Sequence, residues 1–226
     1  MPDDESGLPL VSPPFGERTR ERSHRDHTRG DHQRPRVAGV LLAAGTSSRF
    51  GDRNKLLATH EGEPIVRRAA RTLLDAGLDP VVAVVGHEAE RVTDALDGLD
   101  VRLVTNDTYE TGQASSVRAG IRTLAESGDS IDAAVIALGD MPFVSPETVE
   151  TLVAAYEAEV GDALAAAYEG VRGNPVLFDR RFFADLVDVA GDVGGREILL
   201  ESGASACVAV SDPGVRRDVD ELADLG

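Results

Sequence analysis

The chain is short of cysteine, tryptophan and lysine. Its single cysteine, Cys207, excludes a disulfide framework and any Cys-based zinc or iron–sulfur site built from one chain, and suits a reducing compartment. Long apolar runs are also missing. The stretch from Val37 to Ala44 around Gly39 falls far short of the roughly 18 residues that span a bilayer, so no membrane segment is expected. No apolar core of a secretory signal precedes it, and the expected location is cytoplasmic. Positive charge is scarce: 40 Asp and Glu face 23 Lys and Arg in 226 residues, a formal net charge of −17. Such a field repels a phosphate backbone and excludes a general affinity for nucleic acid. An anionic small molecule would have to be met by locally concentrated positive charge, so each basic residue in a Gly-rich loop is informative.

Lys55 is the only lysine, every other basic side chain of this kind being Arg. An acidic surface almost free of Lys is a composition associated with high salt, where screening removes self-repulsion. Residues 1–36 carry seven acidic and seven basic side chains, so the whole excess of negative charge falls on the rest. This segment has Pro2, Pro13, Pro14 and Pro35 and no hydrophobic periodicity, which predicts a disordered tail. Its His24, His27 and His32 match no closed metal-site spacing.

From Val37 onward, short β-branched runs alternate with amphipathic stretches. Strands are predicted at Val37–Ala43, Val81–Val85, Val101–Val104, Ala133–Leu138, Ala163–Ala167, Pro175–Phe178 and Ala206–Val210. Helices are predicted at Pro64–Ala76, Glu88–Leu96, Ala114–Ala125, Pro146–Glu159, Arg181–Val189 and Gly195–Glu201, with a short one closing the chain. Strand followed by helix at this spacing implies right-handed crossovers and a mostly parallel sheet covered on both faces. The expected organisation is one α/β domain, residues 37–226, of Rossmann-like three-layer type, with the Gly-containing segments near 173 and 191 as loops over a site. Ligands of open α/β sheets sit beyond the carboxyl ends of the strands, which directs attention to the loops after the first and fourth main strands.

The first of these reads Leu42-Ala43-Ala44-Gly45-Thr46-Ser47-Ser48-Arg49-Phe50-Gly51, followed by Asp52-Arg53-Asn54-Lys55. Small residues let backbone N–H groups wrap an anion, and Arg49 and Lys55 add compensating charge. A plain turn is the alternative. The spacing is neither that of a Walker loop nor Gly-x-Gly-x-x-Gly. The segment resembles the signature Leu-Ala-x-Gly-x-x-x-Arg-x-Gly…Lys of nucleotidyltransferases that activate small molecules with a nucleoside triphosphate. The resemblance implies a fold of the nucleotide-diphospho-sugar transferase type. It also implies that Ala43, Ala44, Gly45, Thr46, Ser47 and Ser48 surround the triphosphate while Arg49 and Lys55 neutralise it.

Gly139-Asp140-Met141-Pro142 ends the strand Ala133–Leu138 and puts one carboxylate past the carboxyl edge. Mg²⁺ sites that handle phosphates use one or two carboxylates, with phosphate oxygens and water completing the shell. In the same family Gly-Asp-x-Pro carries the metal-binding Asp, which implies that role for Asp140. Near the C terminus, Asp218-Val219-Asp220-Glu221-Leu222-Ala223-Asp224-Leu225 resembles the family's Asp-Ile-Asp-Thr-Pro-Glu-Asp-Leu, with Glu221-Leu222 replacing Thr-Pro. Asp220 is the candidate second ligand and Asp218 the alternative, against a solvated helix cap. Thr111-Gly112-Gln113-Ala114-Ser115-Ser116 opens a helix, either as a Ser-rich cap or as a surface for an anion or nucleoside. In relatives this stretch lies against the nucleobase, which makes Gly112 and Ser116 candidates.

Gly173-Asn174-Pro175-Val176-Leu177-Phe178 and Gly191-Asp192-Val193-Gly194-Gly195-Arg196 could be turns or could bind a polar phosphorylated heterocycle. They resemble patterns of molybdenum cofactor cytidylyltransferases and their guanylyltransferase relatives, and extend the resemblance from Val40 to Leu225. The resemblance implies Mg²⁺-dependent transfer of CMP from CTP to the terminal phosphate of a molybdopterin-type acceptor. Gly173, Asn174, Pro175, Asp192 and Arg196 would then meet the acceptor, with transient contact to a molybdoenzyme or its chaperone. Ala43-Ala44-Gly45, where guanylyl relatives have Ala-Gly-Gly, favours CTP. Transfer of a guanylyl or other nucleotidyl group to a different phosphorylated small molecule or phosphosugar is the alternative. A non-enzymatic carrier of the finished cofactor is a further one, but it would need neither Lys55 nor Asp140.

Overall fold

A computed structural model describes residues 7–16, 34–46, 54–189, 191 and 195–225. After a short first strand, β1 (Leu10–Val11), the domain begins with β2 (Val37–Ala43). A 3₁₀ turn at Lys55–Leu57 and a small antiparallel hairpin, β3 (Thr59–His60) and β4 (Glu63–Pro64), lead to α1 (Ile65–Asp75). Then follow β5 (Val81–Val85), α2 (Ala89–Ala95), β6 (Arg102–Thr105), α3 (Gln113–Glu126) and β7 (Ala133–Leu138). The later half comprises α4 (Pro146–Glu157), β8 (Ala163–Tyr168), β9 (Val171–Asp179), α5 (Phe183–Asp188), α6 (Arg196–Glu201) and β10 (Ser205–Val210). Eight strands join in one sheet in the order β1-β10-β8-β9-β7-β2-β5-β6. All pairs are parallel except those of β9, which runs antiparallel to both β7 and β8.

The central strands form because their side chains have apolar surroundings on both faces. Every residue of β2 and β5 is buried, the near-continuous apolar pattern of a sheet covered twice. Along β2, Val37, Leu41 and Ala43 join the core under α1, α2 and α4, while Ala38, Val40 and Leu42 join the core under α3, α5 and α6. The helices supply matching stripes. In α1, Ile65, Val66, Ala69, Ala70 and Leu73 are buried, and removing each of Ile65, Val66 and Leu73 from water is worth about 1.5–3 kcal/mol. Cys207 is fully buried in β10, as its apolar neighbours suggest. Among the described residues no helix is long and apolar enough to cross a membrane.

Two expectations are corrected here. Residues 1–36 do not lie wholly outside the fold: Leu10 and Val11 pair with Cys207 and Val208, and Pro9 O accepts from Cys207 N at 2.8 Å. A two-residue strand shows no periodicity, yet it covers the open edge of the buried strand β10. Arg36 is also tied in, with its N–H on Asp132 Oδ2 (2.7 Å) and its guanidinium on Asp129 (3.1 Å) and Asp79 (3.3 Å). Second, the segment around Gly173 is no loop. It is the first half of the nine-residue β9, and only the turn at Gly191 keeps the expected irregular character.

Candidate active site

The site lies at the carboxyl ends of β2 and β7. Their register sets Leu42 beside Leu138, and Gly139 N donates to Leu42 O at 2.9 Å, so the two outgoing loops start side by side. Lys55 is delivered by the 3₁₀ turn that follows the first loop. Asn54, itself buried, caps that turn by accepting from Leu56 N at 3.0 Å, and Leu56 is sunk in the core. The ammonium of Lys55 thus has a fixed base on a largely buried stem.

Lys55 Nζ lies 2.7 Å from Asp140 Oδ2 and 3.2 Å from Asp220 Oδ1. Asp220 arrives from the far end of the chain because Val219, fully buried with Ile65 and Leu225, donates its N–H to Asp140 O at 2.9 Å. The Asp224 carboxylate then accepts from Asp220 N (2.9 Å) and Glu221 N (2.7 Å), which holds its own pKa below the usual carboxylate value. Asp218 is exposed to solvent, so of the two alternatives Asp220 is the one that faces Asp140 and Lys55. Burial alone would lower the pKa of Lys55. The carboxylates of Asp140, then Asp220, outweigh that burial and raise it above the ordinary lysine value.

Asp140 has one oxygen on Lys55, while Oδ1 is buried without a hydrogen-bond partner among the described residues. A buried carboxylate oxygen with spare acceptor capacity, next to a second carboxylate, fits a divalent cation that takes its other ligands from phosphates and water.

Above this trio is a cavity of about 550 Å³ lined by Ala44, Gly45, Thr46, Lys55, Asp140 and, across from them, Tyr109, Glu110, Gly112, Gln113 and Ser116. Ala43 does not line it but belongs to the core beneath. Ser47, Ser48, Arg49 and Asp192 lie outside the described residues. The far wall is the start of α3. Gly112 stands at φ 107°, in the range that favours glycine, and the helix has no side-chain cap. Ser115 and Ser116 are instead held from below: buried Asn106 donates to their hydroxyls at 2.8 and 3.0 Å.

A second cavity of about 230 Å³ shares Gln113 and Leu138 with the first. Its floor is one face of β9, where Arg172, Asn174, Val176 and Phe178 occur at every second residue, and Arg196 closes it from α6. Asn174 and Arg196 of the expected acceptor set are therefore brought together. Gly173 and Pro175 are not, because the strand turns them to the other side: Pro175 lies beside Ala69, Thr72 and Val144, and Gly173 abuts Val215. Arg172, Tyr109, Glu110 and Gln113 were not anticipated. Alternation along 171–179 would have found Arg172 had that stretch been read as a strand. The turn at Gly191 joins this region through Ala114 N on Gly191 O (3.0 Å), while Arg118 donates to Val187 O (2.9 Å) and Val189 O (2.7 Å).

A three-layer α/β domain with paired carboxylates and a lysine beyond the strand ends, facing a glycine-containing loop, has the layout of an enzyme that handles phosphates. The chain belongs to the MobA-like NTP transferase domain family, which matches residues 39–206. It is 32% identical over 205 residues to nicotine blue oxidoreductase of Paenarthrobacter nicotinovorans, covering 87% of this chain and 98% of that one. It is 34% identical over 114 residues to a probable molybdenum cofactor guanylyltransferase of Natronomonas pharaonis, covering 50% of this chain and 54% of the relative. The crystal structure of Rv0371c from Mycobacterium tuberculosis superposes with a TM-score of 0.73 at 27% identity, over 85% of this chain and 96% of the other. The same protein has also been solved in complex with manganese.

Proposed function

We propose that this protein transfers CMP from CTP to the terminal phosphate of a molybdopterin-type acceptor, releasing pyrophosphate. The observation that carries this is the pair of adjoining cavities, one above Lys55, Asp140 and Asp220, the other bearing two arginines on a chain of net charge −17. The first takes the nucleotide and the second the acceptor, with Gln113 and Leu138 at their junction.

In the reaction an oxygen of the acceptor phosphate forms a bond to the α-phosphorus of CTP, and the bond from that phosphorus to the bridging oxygen of the β-phosphate breaks. Pyrophosphate leaves with the electron pair. The nucleophile is already an anion, so no general base is required, and the protein contributes position and charge compensation. Asp140 and Asp220 would hold Mg²⁺, which supplies Lewis-acid charge across the phosphates when bound. Lys55 and Arg49 offset charge on the α-phosphate and on the leaving group. Backbone N–H groups of residues 44–48 cradle the triphosphate, and Gly112 and Ser116 line the nucleoside side. Arg172, Asn174 and Arg196 bind the acceptor. Loss of one charge-assisted contact costs roughly 1.5–3 kcal/mol. Arg172→Ala is therefore expected to raise the acceptor KM by about 10- to 100-fold while leaving nucleotide affinity unchanged, read by initial rates beside a nucleotide titration.

The deciding experiment is pyrophosphate release from CTP, GTP and ATP with Mg²⁺, with and without molybdenum cofactor, in high salt to screen the acidic surface. Release from CTP that needs the cofactor is the expected result. Release from GTP instead would assign a guanylyltransferase, and release only with another phosphorylated acceptor would replace the molybdopterin. The full-length similarity to a protein named as an oxidoreductase favours a second reading, in which the same cavities bind a redox substrate. Turnover of such a substrate without pyrophosphate release would establish it. Against it stands a lysine between two carboxylates, which suits phosphates and a divalent cation rather than electron transfer.

A further inference from the structure

The ammonium of Lys55 occupies the space between the two carboxylates to which a divalent cation would be assigned. It is 2.7 Å from Asp140 and 3.2 Å from Asp220, and its side chain is only 16% exposed. A carboxylate-bound Mg²⁺ sits about 2.0–2.1 Å from its oxygen. Two cations sharing Asp140 at these separations repel each other through a partly water-excluded site. Repulsion between like unit charges about 4 Å apart weakens binding by roughly fivefold in water up to several hundredfold near a protein surface. The trio carries one net negative charge, and a divalent cation added beside the ammonium reverses it. Triphosphate removes the conflict by giving both cations anionic partners.

We propose that Lys55 is a stand-in cation: it holds Asp140 and Asp220 together in the free protein, keeps the metal from binding alone, and so makes metal and nucleotide bind as a pair. This rests on the nucleotidyl-transfer reading of the site, to which it adds a binding order. It gives the lone lysine a positioning role before any chemistry. The compact ammonium suits that role, because it must both fill the gap and leave it, whereas the planar fork of Arg would grip a carboxylate through two bonds. Metal entry without nucleotide would leave a bound cation with no phosphate to act on, and the lysine prevents that state.

The test measures Mn²⁺ affinity by electron paramagnetic resonance, with and without the non-hydrolysable α,β-methylene analogue of CTP, for the full-length protein and for Lys55→Met. In the wild type, Mn²⁺ alone is expected to bind weakly and the analogue to tighten it. Lys55→Met is expected to bind Mn²⁺ alone at least about tenfold more tightly than wild type, a change near the water-screened end of that range, while binding the analogue alone less well. Unchanged or weaker binding of Mn²⁺ alone by a folded variant overturns the proposal, since a merely structural lysine would give that result. A wild-type measurement covers the case of a variant that does not fold. Because Lys55 is the only lysine, labelling lysine at its side-chain nitrogen yields one ammonium resonance. Mg²⁺ with the analogue should move that resonance and Mg²⁺ alone, at the same concentration, should not. A resonance unmoved by saturating Mg²⁺ and analogue overturns the proposal. Failure of the function is a separate outcome: no analogue binding at all, with tighter Mn²⁺ binding in Lys55→Met, would keep the stand-in cation and remove the nucleotide.

Discussion

Replacement of Asp140 by Asn is expected to lower pyrophosphate release about a thousandfold, with the fold retained. The substitution keeps the shape of the side chain and leaves the backbone anchors of the turn in place, namely Gly139 N on Leu42 O and Val219 N on Asp140 O. What it removes is charge. Asp140 provides the nearer contact to Lys55 and a buried oxygen that has no hydrogen-bond partner among the described residues. A partly exposed ion pair contributes at most about 1 kcal/mol to stability, so Tm should shift by roughly 2–4 °C or less. The loss in turnover therefore cannot be charged to unfolding. Turnover within tenfold of wild type, in protein of unchanged Tm, would remove this carboxylate from the reaction.

Gly173→Ala is expected to be the most damaging change of a single methyl group at the site. The position does not need glycine for its backbone angle. It needs the space, because a Cβ there would stand 2.0 Å from Val215 O and 2.7 Å from the carbonyl carbon. Val215 is buried in the 3₁₀ turn Pro213–Arg216, whose entry is fixed by Asp212 on Ser145 N, Thr148 Oγ1 and Gly214 N, each at 2.8 Å. Backbone meeting a new Cβ cannot rotate away as a side chain end can. An overpacked position of this kind costs about 1–3 kcal/mol or more, which for a chain of this size lowers Tm by roughly 2–12 °C. The same turn leads directly into Asp218-Val219-Asp220, so the variant should also lose affinity for divalent cation. Calorimetry and Mn²⁺ titration of this variant test both effects, and unchanged Tm would show that the turn can move away from β9 freely.

The glycine itself was visible in the sequence but its meaning was not. Gly173-Asn174-Pro175 reads as a loop by composition, since Gly, Asn and Pro all punctuate turns. The strand runs on through that composition because it is paired before and after it, with Ile136 opposite Val176 and Tyr168 opposite Val171, while Gly173-Asn174-Pro175 itself falls at a break in the register with β8. Central strands such as Val81–Val85 and Ala133–Leu138 were legible to the residue because burial on both faces leaves only apolar side chains. Leu10–Val11 was illegible because two residues carry no period. At the site, Lys55 and Asp140 stood out through charge beside glycine, and the geometry joins them. Tyr109 and Glu110 carried no such signal: each becomes a wall only when remote segments meet, and one chain read alone does not show which segments do.

The reversed direction of β9 has a consequence for how such a protein changes its partner molecule. Running against its neighbours, the strand begins where β7 and β8 end, so the second cavity rests on a hydrogen-bonded floor rather than on a mobile rim. On such a floor only alternate side chains are in play. Residues 172 and 176, opposite Ala167 and Ala165 of β8, can be exchanged one at a time while the ladder beneath stays paired. In the larger cavity Lys55 and Asp140 are tied to each other and to Asp220, so neither can be exchanged without disturbing its partners. New selectivity is thus open to point substitution in the smaller cavity, whereas the larger one is fixed by its ion pairs.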